Sequence, residues 1–370
     1  MIIAEIGTSH EGSLEKAKLL IDAAAKAGAD SAKFQWVYAD EILHPKTGFV
    51  DLPTGRIALY ERFKQLECPS KFYSAARDYA HSKNLKFVCS PFGLKSLAEL
   101  LELNPDAVKI ASPELNHFPM LRALSQFRSR QISRGENPIR VIISSGVSKL
   151  KDIEAALEIL GKENVALLHC VTSYPAPEDD YNVRLVSRLR EIFGIETGIS
   201  DHSLDAVLVP CLASAEGATY FEKHITLSKE TSGLDDPVAL EVEQFAQMVQ
   251  ALRQCEAALS HYGRERGRQE IIRQISMQYG SERVEKVLGS GMKKLAASEE
   301  KNYGRTNRSL RYINKCSYNH ILQKSDVGVL RTEKILTPGI SPEFLELVIG
   351  KRLTRPVESG DGVQFEDFMN

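Results

Sequence analysis

Three short segments of this chain place imidazole, carboxylate, ammonium and thiol groups side by side: Leu168-His169-Cys170, Ser200-Asp201-His202 and Glu222-Lys223-His224. Each follows a run of apolar residues. The same arrangement recurs upstream, with Glu5, then Lys33 and Gln35, then Ser90, then Lys109, Ser112 and Glu114, then Ser144 and Ser145. His202 and His224 are two imidazoles able to share one divalent cation, and either alone is also at home as a structural histidine. Lys33 and Lys109 among Ser90, Ser112, Ser144 and Ser200 form a cationic, hydroxyl-rich set. That set suits a phosphate plus a carboxylate, the anionic groups of phosphoenolpyruvate. Glu5, Gln35, Glu114 and Asp235 are left to hold a polyhydroxylated partner. Taken singly, a strand-end serine is a turn residue and a lysine is solvated. Recurrence at every strand end is what points to a site. His169, next to Cys170, reads as a ring turned sideways into packing.

Such groups need a scaffold that brings strand ends together. Strands are predicted at Ile2–Ile6, Ser31–Gln35, Lys86–Cys89, Ala107–Ile110, Arg140–Ile143, Val165–Leu168, Glu196–Ile199 and Thr219–Glu222. Helices are predicted between them: Leu14–Gly28 with Ser13 as N-cap, Leu94–Leu103, Pro119–Phe127, Asp152–Leu160, Asn182–Phe193 and Leu204–Glu216. Eight strands alternating with helices predict an α/β fold of (β/α)8 barrel type, whose reactive groups sit at the C-terminal strand ends. A doubly wound open sheet is the competitor, but Gly7-Thr8-Ser9-His10-Glu11-Gly12 lacks the G-x-G-x-x-G turn of a nucleotide-binding fold. A long loop with Pro45, Gly48, Pro53 and Gly55 follows the second strand, and loops of that length are usually functional or mobile. The barrel is assigned residues 1–260, ending in a helix at Pro237–Leu259. Residues 261–306 read as a charged helical insert or linker, helical at Gln269–Met277 and Glu282–Leu288. Residues 307–370 lose helix periodicity and read as a small, mostly β domain.

Composition narrows the function. The chain has 370 residues and a formal net charge of -2, so no cationic field favours nucleic acid or an anionic membrane. The longest apolar stretch, Ala206–Ala215, is too short to span a bilayer. No basic stretch precedes the first strand, which reads as the absence of a signal peptide. The six cysteines show no C-x-x-C pair, so they read as buried free thiols of a cytoplasmic protein.

In this order the segments resemble the sialic acid synthase (N-acetylneuraminate synthase) family. The residues that carry the resemblance are Ile3-Ala4-Glu5-Ile6-Gly7, His10-Glu11-Gly12, Ala32-Lys33-Phe34-Gln35, Ser90-Pro91-Phe92, Lys109-Ile110-Ala111-Ser112 and Ser144-Ser145-Gly146. With them stand Leu168-His169-Cys170, Tyr174-Pro175-Ala176-Pro177, Ser200-Asp201-His202 and Glu222-Lys223-His224. Pro338-Gly339-Ile340-Ser341-Pro342 and Ile349-Gly350-Lys351 resemble the family's antifreeze-like (SAF) domain. Only about Ser260–Leu288 falls outside the resemblance, as if inserted.

The resemblance implies a barrel enzyme that condenses phosphoenolpyruvate with an N-acyl amino sugar of the hexosamine type. The products are a sialic-acid-like 2-keto-3-deoxy acid and phosphate. It implies a divalent metal, Mn2+ or Mg2+, on His202 and His224, with Glu5 orienting the sugar and the metal-bound groups. It places Lys33, Ser90, Lys109, Ser112, Ser144 and Ser200 around phosphoenolpyruvate, and Gln35, Glu114, Tyr174 and Asp235 on the sugar. It also implies a homodimer in which each small domain covers the partner's barrel.

Ser9, Pro113, Thr172 and Asp236 depart from the family pattern. The family's Arg-Pro-Gly turn reads here as Ile335-Leu336-Thr337, leaving Arg331 or Lys334 to replace its arginine. These departures face the sugar and predict an atypical acceptor. Two other functions use the same residues. A Schiff-base aldolase would make Lys33 or Lys109 the nucleophile, and a non-catalytic paralogue would bind sugar without turnover.

Overall fold

A computed structural model describes residues 1–52, 55–231 and 233–369. The eight apolar runs form one closed parallel sheet: β1 (Ile2–Gly7), β2 (Ser31–Trp36), β3 (Lys86–Pro91), β4 (Ala107–Ile110), β5 (Arg140–Ser144), β6 (Val165–Cys170), β7 (Glu196–Asp201) and β8 (Tyr220–Thr226). Each strand pairs with the next, and β1 closes on β8 with Glu5 beside His224. Both faces of such a sheet are buried, which is why the strands read as continuous apolar runs. Ile3, Val88, Ala107, Ile142, Ala166 and Leu168 fill the barrel's interior below the mouth. The first helix, Leu14–Lys26, starts where expected, with Ser13 accepting from the Lys16 N–H at 3.2 Å.

The stretch after β2 is more structured than a loop. It holds a short helix (Ala39–Ile42), a hairpin of Phe49–Leu52 with Gly55–Ala58, and two helices, Leu59–Gln65 and Ser70–Ser82. Pro53 lies outside the described residues. Ser70–Ser82 buries Phe72, Tyr73, Ala76 and Ala80, and its small and aromatic core residues hide the helical period.

Residues 264–288 also belong to the barrel's outer layer. The helix Leu208–Ala215 is buried on every side. A helix apolar all round needs cover on its outer face. The helices Arg264–Tyr279 and Ser281–Leu288 both pack on it, and Ile271, Ile275, Val284, Val287 and Leu288 join the main core. All six cysteines are buried and free. Among the described residues no helix is long and apolar enough to cross a membrane.

The C-terminal domain pairs Arg308–Tyr312 antiparallel with Val327–Arg331 and adds single bridges at Arg311–Gly362, Cys316–Val357 and Ile321–Arg352. It has its own core around Leu310, Tyr312, Leu322, Val348, Leu353 and Val363. This domain sits on the mouth of its own barrel, and one buried carboxylate is central to the contact. Glu114 pairs with Arg308 and with Arg331, whose Nε donates at 2.9 Å. Arg308 also donates to the carbonyls of Phe92 (2.6 Å) and Val329 (3.0 Å), tying barrel to small domain. Burial would raise the Glu114 pKa, but the two guanidiniums outweigh it and hold the carboxyl below its usual value.

Two predictions follow from this burial. Glu114→Ala leaves two guanidiniums without their carboxylate and should cost about 3–5 kcal/mol in denaturant unfolding; a loss under ~1 kcal/mol would show that the clasp is not needed. His10, His117 and His169 are buried, and mainly by that burial their pKa values fall to about 4, 3 and 3. Their folded values lie below the unfolded value near 6.5, so the unfolded chain takes up protons first. Their contribution is complete above that pH and is lost as pH falls toward 4. Stability should therefore drop on acidification below about pH 6.5, approaching ~1.4 kcal/mol per pH unit for each histidine. Equal unfolding midpoints at pH 7 and pH 5 would contradict neutral burial.

Candidate active site at the barrel mouth

Strand alternation sorts the polar residues of the last two strands. In β8, Glu222 and His224 face the mouth, while Lys223 points to the opposite side. There the Lys223 ammonium meets Asp201 at 2.6 Å and also donates to Ser203 O (2.6 Å) and Asp205 O (3.1 Å). Asp201 and Lys223 are thus a satisfied pair behind the site. His169 likewise turns away from the mouth, bonding through Nε2 to the Tyr181 carbonyl.

Four alternating charges form the floor of the mouth. Lys33 Nζ lies 2.6 Å from Glu5 Oε2 and 3.7 Å from Glu222 Oε1, and Lys109 Nζ lies 3.7 Å from the same Glu222 oxygen. Ser200 donates to Glu222 at 3.0 Å, Lys109 donates to Ser144 Oγ at 2.6 Å, and Gln35 donates to Glu5 at 2.7 Å. Gly7 makes room for this contact: it sits at φ +57, and a Cβ there would come within 3.1 Å of Gln35 Nε2. Burial would raise the Glu222 carboxyl, but Lys109, Lys33 and the Ser200 hydroxyl hold it at about 2. Burial opposes the charge on both lysines. Glu222 and Glu5 overcome it for Lys33, whose pKa is raised, but Lys109 stays lowered. Ser90 Oγ is buried beside this floor without a hydrogen-bond partner. Ser112 is engaged, accepting from the Gly146 N–H at 3.0 Å.

Above the floor stand the two histidines, with ring centroids 5.6 Å apart. His202 Nδ1 lies 2.8 Å from the Val171 carbonyl, which only accepts, so Nδ1 carries a proton. Burial would lower the His202 pKa, but Cys170, its Sγ 3.9 Å from Nδ1, and that carbonyl raise it to about 9, so a cation on Nε2 would displace a proton. His224 Nδ1 lies 3.8 Å from Asp235 Oδ2. The Tyr174 ring stands 4.3 Å from His202 and 6.1 Å from His224. Imidazole nitrogens and carboxylate oxygens are the donor types that take a divalent ion of the Mn2+ or Mg2+ type, but among the described residues those at the mouth do not bring three such atoms within 4.8 Å of one another. A separate grouping, Cys316, His320 and Asp326, lies in the small domain. Its Asp326 is already used, accepting from His320 at 2.8 Å, Gln323 N at 2.9 Å and Asn314 at 3.3 Å.

The structure thus gathers Glu5, Lys33, Gln35, Ser90, Lys109, Ser144, Ser200, Tyr174, His202, His224 and Asp235 at one mouth. Glu114 is present too, but both of its oxygens are held by arginines. Sequence reasoning overlooked Glu222 as a site residue, although it shares a strand face with His224. The family's arginine has no counterpart in Ile335-Leu336-Thr337, where Ile335 is 70% exposed, and the sequence offers Arg331 or Lys334 in its place. Of these two, Arg331 reaches the mouth, from the end of a strand followed by Glu333 in the left-handed region at φ +56. Lys334 is exposed. Two departures from the family pattern touch each other: Ser9 Oγ donates to Asp236 Oδ1 at 2.6 Å. A third, Thr172, presses on Gly146, where a Cβ would lie 2.0 Å from its Oγ1.

Comparison with known proteins accords with this architecture. Spore coat polysaccharide biosynthesis protein SpsE of Bacillus subtilis is 30% identical over 374 residues, covering 100% of this chain and 93% of that protein. The N,N'-diacetyllegionaminic acid synthase of Campylobacter jejuni is 30% identical over 364 residues, covering 96% of each chain. The crystal structure of the Bacillus subtilis protein superposes with a TM-score of 0.79 at 28% identity, covering 100% of this chain and 95% of that one. The SAF domain profile matches residues 308–369. The NeuB family profile matches residues 20–264, and the chain belongs to the NeuB family.

Proposed function

We propose that this protein condenses phosphoenolpyruvate with an N-acyl amino sugar of the hexosamine type, giving a nonulosonic 2-keto-3-deoxy acid and phosphate. The observation that carries this reading is the buried Glu5–Lys33–Glu222–Lys109 array lined by Ser90, Ser144 and Ser200. It offers a small dianion two buried ammonium groups, the Ser90 hydroxyl without a partner and the Ser144 and Ser200 hydroxyls beside them. Relatives named as legionaminic, pseudaminic and N-acetylneuraminate-9-phosphate synthases support the reaction class.

Lys33 and Lys109 bind the phosphate and carboxylate and stabilise the charge that develops on them. Ser90, Ser112, Ser144 and Ser200 fix their orientation. Glu5, Gln35, Tyr174 and Asp235 hold the open-chain sugar so that its aldehyde faces C3 of phosphoenolpyruvate. His202 and His224 would hold a divalent ion, which would supply Lewis-acid polarisation of that aldehyde. C3 bonds to the aldehyde carbon, water adds at C2, and the C2–O bond to phosphate breaks. No side chain becomes covalently attached.

Lys109 is the group a Schiff-base aldolase would use, because its pKa is lowered by burial. Its 2.6 Å bond to Ser144 and its neighbour Glu222 favour ion binding instead. The homodimer expected from the family would exchange small domains and keep the Glu114 clasp between chains. Sedimentation of the active protein distinguishes that from the single-chain arrangement.

The test is phosphate release from phosphoenolpyruvate with a panel of N-acyl hexosamines, with Mn2+ and with excess chelator. Metal-dependent release with one sugar is expected. Chelator-resistant turnover trapped by borohydride would favour the aldolase, and ligand binding without release would favour the binding paralogue. Lys109→Met should lower kcat/KM for phosphoenolpyruvate by about 100-fold or more while sparing sugar affinity. His202→Ala should abolish turnover without unfolding the barrel, and unchanged turnover at limiting metal would remove His202 from the metal site.

A further inference from the structure

The chain between the last barrel helix and the small domain sends one carboxylate into the barrel. Glu299 lies in the short turn Ala297–Glu299 and is 1% exposed. Its Oε1 accepts two backbone N–H groups from different strand-end loops, Val147 N at 2.7 Å and Thr172 N at 2.7 Å. Its other oxygen takes only a longer bond, 3.3 Å, from Ala296 N.

Both loops border the site. Val147 closes Ser144-Ser145-Gly146, in which Ser144 meets Lys109 and the Gly146 N–H meets Ser112. Thr172 follows Val171, whose carbonyl fixes the His202 ring. Val147 sits at φ +41, an unfavourable region for a β-branched residue, which persists only where its surroundings hold it. The same linker grips the loop twice more, through Lys293 Nζ to Ser145 O at 3.1 Å and Asn307 Nδ2 to Val147 O at 3.1 Å.

We infer that Glu299 is a positioning residue for phosphoenolpyruvate. Its single oxygen holds the Ser144–Val147 loop in a strained, anion-ready shape and locks it to the Thr172 loop. The inference rests on the proposed phosphoenolpyruvate site. Toward the two loops Glu299 acts by accepting hydrogen bonds, both on one oxygen; its charge faces the buried Lys293 ammonium, which it favours against burial. A glutamine amide oxygen can take both; an aspartate keeps the charge but falls one methylene short.

The experiment is calorimetric titration of the full-length protein with phosphoenolpyruvate for wild type, Glu299→Gln, Glu299→Asp and Glu299→Ala, with melting temperatures recorded alongside. Glu299→Gln should bind within about twofold of wild type, Glu299→Asp should weaken binding several-fold, and Glu299→Ala by about tenfold or more. Asp binding as tightly as wild type while Gln binds weakly would overturn the inference. So would lower melting temperatures with unchanged affinity, the mark of a merely structural role. Should Glu299→Ala fail to fold, the order of Gln and Asp still decides. Wild type that binds phosphoenolpyruvate but releases no phosphate would defeat the condensation reaction alone, whereas absent wild-type binding would defeat both.

Discussion

Two ammonium and two carboxylate groups share the floor of the barrel, and the site depends on keeping those four charges in step. Glu5, Lys33, Lys109 and Glu222 come from four different strands and are all nearly shut off from water. Any one of them alone in that place would be costly. Their formal charges cancel only in the register the closed sheet imposes, with Glu5 beside Lys33 and Ser200 beside Glu222. Slipping one strand by a single residue would turn its charge into the helical layer. The sheet and the electrostatics therefore specify each other. The Asp201–Lys223 pair on the opposite face of β7 and β8 repeats the principle away from the chemistry.

The mouth is completed by chain that follows the barrel. Arg308 and Arg331 neutralise Glu114, Glu299 ties two loops together, and Asn307 reaches Val147. Each of these contacts uses a buried polar group that would otherwise be unsatisfied. The small domain is thus joined to the barrel by polar groups it shares with the site's own walls.

The strands were legible because burial on both faces leaves an unbroken apolar run, and the strand ends were legible because polar residues there stand out. Ser70–Ser82 was not, since alanines and aromatics carry its buried face. The strand pair after β2 was hidden because Pro45, Gly48, Pro53 and Gly55 in that stretch read as loop. The helices at 264–288 looked like an insertion because their charged outer faces dilute the pattern, yet the all-apolar Ala206–Ala215 run already required a cover. Glu222 could have been found by alternation, since residues 222 and 224 of a strand share a face. Glu299 had no signal, because its partners are backbone amides more than a hundred residues away.

The clasp on Glu114 spans 194 and 217 residues of chain. A ribosome finishes every barrel strand long before it releases either arginine, and domains tend to fold as they emerge. The nascent barrel must close around a carboxylate that is still uncompensated, and the Val147 turn must wait for residue 299. Completion of the mouth therefore comes at the end of synthesis. A truncated product would have a barrel but an unfinished mouth.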